Sequence, residues 1–345
     1  MVELATGVVQ LLVSVRLILN GLVKSMLRLK DSHLKPKSWS LPMYLAITVI
    51  RSFVYHHSTD LAALRAVTDF PLIPTIPRAV RSSFCLVGSV EVELIFPRAI
   101  AGSFASFPKS GSVVIYLHGG GFGLCNPRTH RPLTHALSAM SDSVLVVPRY
   151  RRIPESCVRD AVDDCVSVYT ALVVDAGVSP HRISIAGDSA GGSLAVLTLC
   201  RIRDTERLQA PRCGILLSPW CDISHTSSFE GPETHHDYIN GDVLSLMSRL
   251  AMGDGLDGHL INPMLLDLTG LPPLLIHYGE LEFLRNQIRL FVKKSVADGV
   301  DVTSKEYSET VHIPHFFSSV NATGHQALLD VCQYVTHHNS SPNLT

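Results

Sequence analysis

Gly187-Asp188-Ser189-Ala190-Gly191 is the stretch that most narrows what this chain can fold into. An apolar run at 183–186 with strand character precedes it, and an apolar run at 193–200 with helix character follows. A serine flanked by glycines at a strand-to-helix junction suits a sharp, strained turn that exposes the hydroxyl, with small neighbours letting the helix lie close to the strand. A second Gly-rich stretch, His118-Gly119-Gly120-Gly121-Phe122-Gly123, follows another strand-like run at 112–117. Glycines there can bring bare backbone N–H groups towards a developing oxyanion.

The flanking sequence alternates in the same manner. Strand-like runs fall at 85–87, 90–96, 143–148, 213–218, 271–277 and 303–307. Helix-like stretches fall at 131–140, 160–174, 193–203, 285–298 and 326–338. Strands alternating with helices predict an α/β fold, a mostly parallel central sheet with helices on both faces. In such sheets catalytic groups gather in the loops at the carboxyl ends of the strands.

The first 80 residues differ in kind. Residues 4–23 are long and apolar enough to span a bilayer. Arg16 lies near the middle, however, and Thr6, Gln10, Ser14 and Asn20 share its face opposite Val8, Leu12, Val15 and Leu19. That pattern is amphipathic; it predicts a helical cap segment over the site, with peripheral membrane contact or a true span as the other readings. Two further helices are expected at 42–56 and 60–67. Pro71, Pro74 and Pro77 then mark a link. The division is thus 1–80 as an N-terminal helical cap segment and 81–345 as the catalytic body.

Composition removes several function classes. A formal charge of −1 on 345 residues gives no electrostatic footprint for nucleic acid. The 17 histidines are scattered, with neither H-E-x-x-H nor C-x-x-C, so no metal site is expected. The 8 cysteines show no compact disulfide spacing and read as buried free thiols. With no persuasive signal peptide, a reducing, cytoplasmic setting is expected, with membrane association through 4–23 as its variant.

Ser189 is a weak nucleophile until a histidine takes its proton, and that histidine needs a carboxylate to hold its tautomer. Behind an elbow of this kind the partners follow in the order serine, acid, histidine. Two carboxylates, Glu280 and Glu282, stand after the late strand at 271–277, and two histidines, His312 and His315, after the strand at 303–307. Residue type alone leaves both pairs open.

Taken jointly, His118–Gly123, Tyr150-Arg151 with Pro154-Glu155, Gly187–Gly191, Ser218-Pro219-Trp220 with Asp222, Pro272-Pro273 and Gly279 to Arg285 resemble the hormone-sensitive-lipase-like branch of the α/β-hydrolases. That branch includes arylacetamide deacetylase-like enzymes, fungal steryl acetyl hydrolases and microbial carboxylesterases. The likeness covers roughly 85–338 and implies an α/β-hydrolase fold with a helical cap, part of it inserted around 222–260. It implies Glu282 as the acid and His312, with His315 behind it, as the base. Gly120, Gly121 and Ala190 would form the oxyanion hole. His118 would shape the glycine loop, Phe122 would line the acyl side of the pocket, and Tyr150, Arg151, Glu155, Asp188 and Asp222 would be structural.

The chain departs from the family pattern in three places: Arg149, where an acidic residue is common; Arg152-Ile153 in place of Leu-Ala; and glutamate as the acid. The function implied is a cofactor-free serine hydrolase of short or medium acyl esters, including acetyl esters, of a lipophilic small molecule. A lactone hydrolase, an acyltransferase and a catalytically silent small-molecule binder are its alternatives, and oligomeric state is not legible.

Overall fold

Five apolar runs supply the buried strands, and their position in the chain dictates the sheet. The computed structural model describes residues 36–69, 79–100, 102–105, 107–224, 235–253 and 260–340. The expected helix at 4–23 and the proline link at 71–78 lie outside them. The strands are β1 (Val80–Val87), β2 (Val90–Pro97), β3 (Val113–Leu117), β4 (Val144–Pro148), β5 (Ile183–Asp188), β6 (Cys213–Leu217), β7 (Leu274–Gly279) and β8 (Val302–Tyr307). They form one sheet of order β1-β2-β4-β3-β5-β6-β7-β8. The pairs β1/β2 and β2/β4 are antiparallel and the rest are parallel. The mostly parallel sheet expected from the sequence is therefore present, with an antiparallel edge.

The helices are α1 (Leu41–His56), α2 (Leu61–Thr68), α3 (Arg131–Ser141), α4 (Val158–Val174), α5 (Ala190–Arg203), α6 (Gly241–Met252), α7 (Arg285–Ala297) and α8 (Ala322–Ser340). Successive strand residues point to opposite faces, so the core splits in two. Val113, Ile115, Ile185 and Ile276 face Leu172 of α4, Leu194 of α5 and Phe291 of α7. Val114, Tyr116, Leu145, Ala186 and Ile215 face Leu137 of α3 and Val331 of α8. β3 to β7 are buried on both sides because helices cover both faces.

Two elements differ from expectation. β1 begins at Val80 rather than 85, since Arg81, Ser82 and Ser83 sit on an edge strand whose outer face needs no apolar side chain. α6 had no bounds from the residues themselves, though it falls within the 222–260 cap insertion that the family resemblance implies. Its start is set by Asn240, whose side chain accepts from the Val243 amide at 2.9 Å, with Asp242 in the first turn. Among the described residues no helix is long and apolar enough to cross a membrane. All eight cysteines are free, and Cys165, Cys200, Cys213, Cys221 and Cys332 are buried.

Candidate active site

Ser189 sits between β5 and α5 with φ 52° and ψ −122°, a left-handed conformation that L-residues avoid unless the surroundings impose it. The surroundings do so from both sides. Its amide donates to the Leu217 carbonyl at 2.9 Å, and its own carbonyl accepts from the Trp220 amide at 2.9 Å. A Cβ on Gly187 would strike the Gly191 backbone, and one on Gly191 would strike the carbonyls of Leu117 and His118. The two glycines around Ser189 are thus required by close backbone approach. Ala190 is the first residue of α5, where no intrahelical acceptor exists for its N–H.

The glycine loop is pinned from below by Asp188. Its carboxylate accepts from Tyr116 Oη at 2.8 Å and from the Gly119 amide at 3.1 Å, and lies 3.3 Å from His130 Nε2. Burial alone would raise the Asp188 pKa, but His130 and the Tyr116 hydroxyl outweigh it and hold the carboxyl below its ordinary value. Gly120 has φ 109° and Gly121 φ 60°. The Gly120 carbonyl is consumed by the amides of Leu124 at 2.8 Å and Gly123 at 3.1 Å. Tyr150 donates to the His118 carbonyl at 2.6 Å and stacks on its ring with centroids 4.3 Å apart. His118 and Tyr150 therefore shape the loop.

Arg65 of α2 closes the loop from outside, donating to the Gly123 carbonyl at 2.8 Å and the Ile153 carbonyl at 2.6 Å while pairing with Glu155. Two of the departures from the family pattern find partners here. Arg152 pairs with Asp69 at 2.6 Å and donates to the Cys125 carbonyl at 2.7 Å, adding support beneath the loop. Arg149 pairs with Glu91 of β2 at 2.8 Å. Asp222, buried, accepts from Ser224 at 2.8 Å and Asn262 at 2.9 Å, both within the scaffold.

Geometry separates the two carboxylates and the two histidines. Glu282 is buried; its Oε2 accepts from Ser218 Oγ at 2.6 Å and the Gly279 amide at 2.9 Å. Its Oε1 faces His312 Nδ1 at 4.0 Å, apposed but longer than a hydrogen bond. Such contacts in ligand-free sites tighten on substrate binding. Glu280 instead accepts from the Glu309 amide at 2.9 Å. Burial by itself would lower the His312 pKa, but the carboxylates of Glu282 and Asp237 outweigh it and raise it above the ordinary histidine value. His315 is fully buried, 3.2 Å from His277 Nδ1 with the two rings stacked, and burial holds its pKa well below the ordinary value.

Ser189 and His312 line a common cavity of about 400 Å³, and His315 does not. Pro42, Ala46, Ile50 and Val54 form one wall, their four-residue spacing placing them on a single face of α1. Val243, Leu244 and Met247 of α6 form another, and Gly120, Gly121 and Trp220 complete the floor. The cavity is of the size and apolar character usual for small-molecule sites. Phe122 corrects an expectation: it is 1% exposed, packs on Trp220 with ring centroids 5.7 Å apart, and is not among the lining residues. With φ 64° its side chain turns into the core.

Several site residues were not singled out from sequence: His130, Arg65, and above all Asp237 and Tyr238. Tyr238 lines the cavity and donates to the His312 carbonyl at 2.9 Å. Asp237 is fully buried and accepts from the His312 amide at 3.2 Å. Ser218, already part of the Ser218-Pro219-Trp220 motif in the sequence, directly follows β6 with φ 48°. Asp237 had none, because the stretch before α6 carries no periodicity.

The buried histidines predict an acid-sensitive fold. Burial pushes His118 and His277 down to about 3, and His315 well below its ordinary value. The unfolded chain binds those protons as pH falls through about 6.5 whereas the folded chain does not, so stability is lost progressively below that pH. Asp237, raised to about 6 by burial, and His312, raised by its neighbouring carboxylates, work in the opposite sense, two groups against three. The thermal midpoint of the protein is expected to fall steadily between about pH 7 and about pH 4, as differential scanning fluorimetry would record.

A family model described as alpha/beta hydrolase fold matches residues 114–316, from β3 through the His312 loop. The chain belongs to that family. Among the relatives of this α/β-hydrolase is an acetyl-hydrolase of Streptomyces hygroscopicus, 33% identical over 222 residues, 64% of this chain and 74% of the relative. A carboxylesterase/phospholipase, LipF, of Mycobacterium tuberculosis is 30% identical over 267 residues, 72% of this chain and 69% of the relative. The hormone-sensitive-lipase homologue EstE7 from a metagenome library superimposes with a TM-score of 0.75 at 28% identity, covering 86% of this chain and 98% of that one. The α/β-hydrolase lies in the hormone-sensitive-lipase-like branch.

Proposed function

We propose that this α/β-hydrolase is a serine carboxylic ester hydrolase acting on short to medium acyl esters, including acetyl esters, of a lipophilic small molecule. Ester hydrolysis is the activity that the family and its named relatives support. The observation that carries the finer reading is the convergence of Ser189, His312, Gly120 and Gly121 on one apolar cavity.

In this reading His312, steadied by Glu282, takes the proton of Ser189 as its oxygen attacks the ester carbonyl. The oxyanion is received by the amides of Gly120, Gly121 and Ala190. His312 then hands its proton to the departing alcohol, and water activated by the same imidazole releases the acid. The raised His312 pKa suits the first step, since it makes the neutral imidazole a stronger base towards Ser189. α1 and α2, with α6, act as the cap over the cavity.

Hydrolysis of p-nitrophenyl esters from acetate to laurate tests the reading. The optimum is expected between acetate and octanoate, with laurate slower because the walls formed by α1 and α6 enclose the acyl chain. A run with an added alcohol acceptor distinguishes hydrolysis from acyl transfer. A folded protein that binds these esters without turning any over would instead be a binder.

A further inference from the structure

We infer that Asp237 and Tyr238 are positioning residues that hold the peptide of His312 from the cavity side and tie it to the loop bearing Glu282. The inference rests on the triad reading above. The His312 loop follows β8 without regular secondary structure, so its backbone groups need other partners. Two of them come from consecutive residues in the stretch leading into α6. Asp237 Oδ1 accepts the His312 amide at 3.2 Å, and Tyr238 Oη donates to the His312 carbonyl at 2.9 Å. Asp237 Oδ2 accepts the amide of Phe283, the residue after Glu282, at 2.6 Å. One buried carboxylate therefore fixes the chain beside both the acid and the base.

Two details give this clamp a consequence for the reaction. The Tyr238 ring packs edge-on against the His312 ring, with centroids 5.8 Å apart, and lines the cavity. An acyl or alcohol group seated in the cavity therefore touches the residue that locates the base. In addition, the charged and titratable groups facing His312 are Glu282 from the β7–α7 loop, Asp188 from the end of β5, and Asp237 with Tyr238 from the stretch before α6. Asp237 is thus a second carboxylate favouring the protonated imidazole, and it shares with Glu282 the task of setting the acid limb of the rate profile. It makes no contact with reacting atoms; it acts through His312.

The test compares Asp237→Ala, Asp237→Asn and Tyr238→Phe with wild type on p-nitrophenyl butyrate across the pH range, each rate normalised to sites titrated by a serine-directed organophosphate. Asp237→Ala is expected to lose about 10–100-fold in kcat with KM little changed, the scale on which small misplacements of a catalytic group act. Asp237→Asn keeps one acceptor and recovers part of that loss. With one negative charge removed, the His312 pKa falls, so its acid limb moves to lower pH; a purely structural role would leave the limb in place. Tyr238→Phe keeps the ring in the cavity, so kcat falls and KM holds. That variant removes only a hydroxyl and keeps the test open should Asp237→Ala not fold.

Wild-type kcat in Tyr238→Phe and an unmoved acid limb in Asp237→Asn would overturn the inference while leaving the triad standing. Turnover that survives Ser189→Ala would overturn the triad and this clamp together.

Discussion

Ser189→Ala is expected to lower kcat on p-nitrophenyl butyrate by about 10,000-fold or more, the scale on which removal of a serine nucleophile acts elsewhere. The substitution isolates the chemistry unusually well. Alanine keeps the Cβ already accommodated at φ 52°, and the backbone bonds to Leu217 and Trp220 do not involve the hydroxyl. The elbow and the thermal midpoint should therefore be preserved, and substrate should still bind. The residual rate would be what the glycine-loop amides and the cavity provide without a covalent step. A binding assay with a non-hydrolysable ester analogue, run beside the kinetics, separates loss of chemistry from loss of the site. Retention of turnover would place the nucleophile elsewhere.

The parts of this molecule that were legible in its sequence are those where backbone geometry restricts residue type. β3, β4, β5, β6 and β7 are wholly buried, so they read as unbroken apolar runs. Gly187 and Gly191 are legible because nothing larger fits where they sit. Glu280 against Glu282, and His312 against His315, were not separable by residue type, since each pair offers the same chemistry a few positions apart. Direction of the side chain distinguishes the carboxylates: Glu282 turns inward to Ser218 and Glu280 outward to the Glu309 amide. Phe122 illustrates the same limit, an aromatic beside the glycine loop whose positive φ sends it behind Trp220. Asp237 was least legible of all, because its partners His312 and Phe283 lie far along the chain.

Glu282→Gln tests the acid, and its effect follows from which oxygen is already committed. Ser218 Oγ and the Gly279 amide both donate to Oε2, so in the variant the amide oxygen is drawn to that position. The new NH2 group then occupies the place of Oε1 and points at His312 Nδ1, 4.0 Å away in the parent. A donor facing Nδ1 favours the tautomer protonated on Nε2, the nitrogen that must accept the serine proton. The imidazole is then held in place but in the wrong state, and kcat is expected to fall by about 1,000–10,000-fold with KM nearly unchanged. Glu282→Asp keeps the charge and should fall less, the loss measuring how far one methylene retracts the carboxylate. Glu280→Gln retains an acceptor for the Glu309 amide and should leave kcat within about twofold, as surface substitutions away from a reacting group do. A collapse of activity in Glu280→Gln with Glu282→Gln near wild type would reverse the assignment, and would require the loop after β7 to shift by two residues so that the inward carboxylate is the other one.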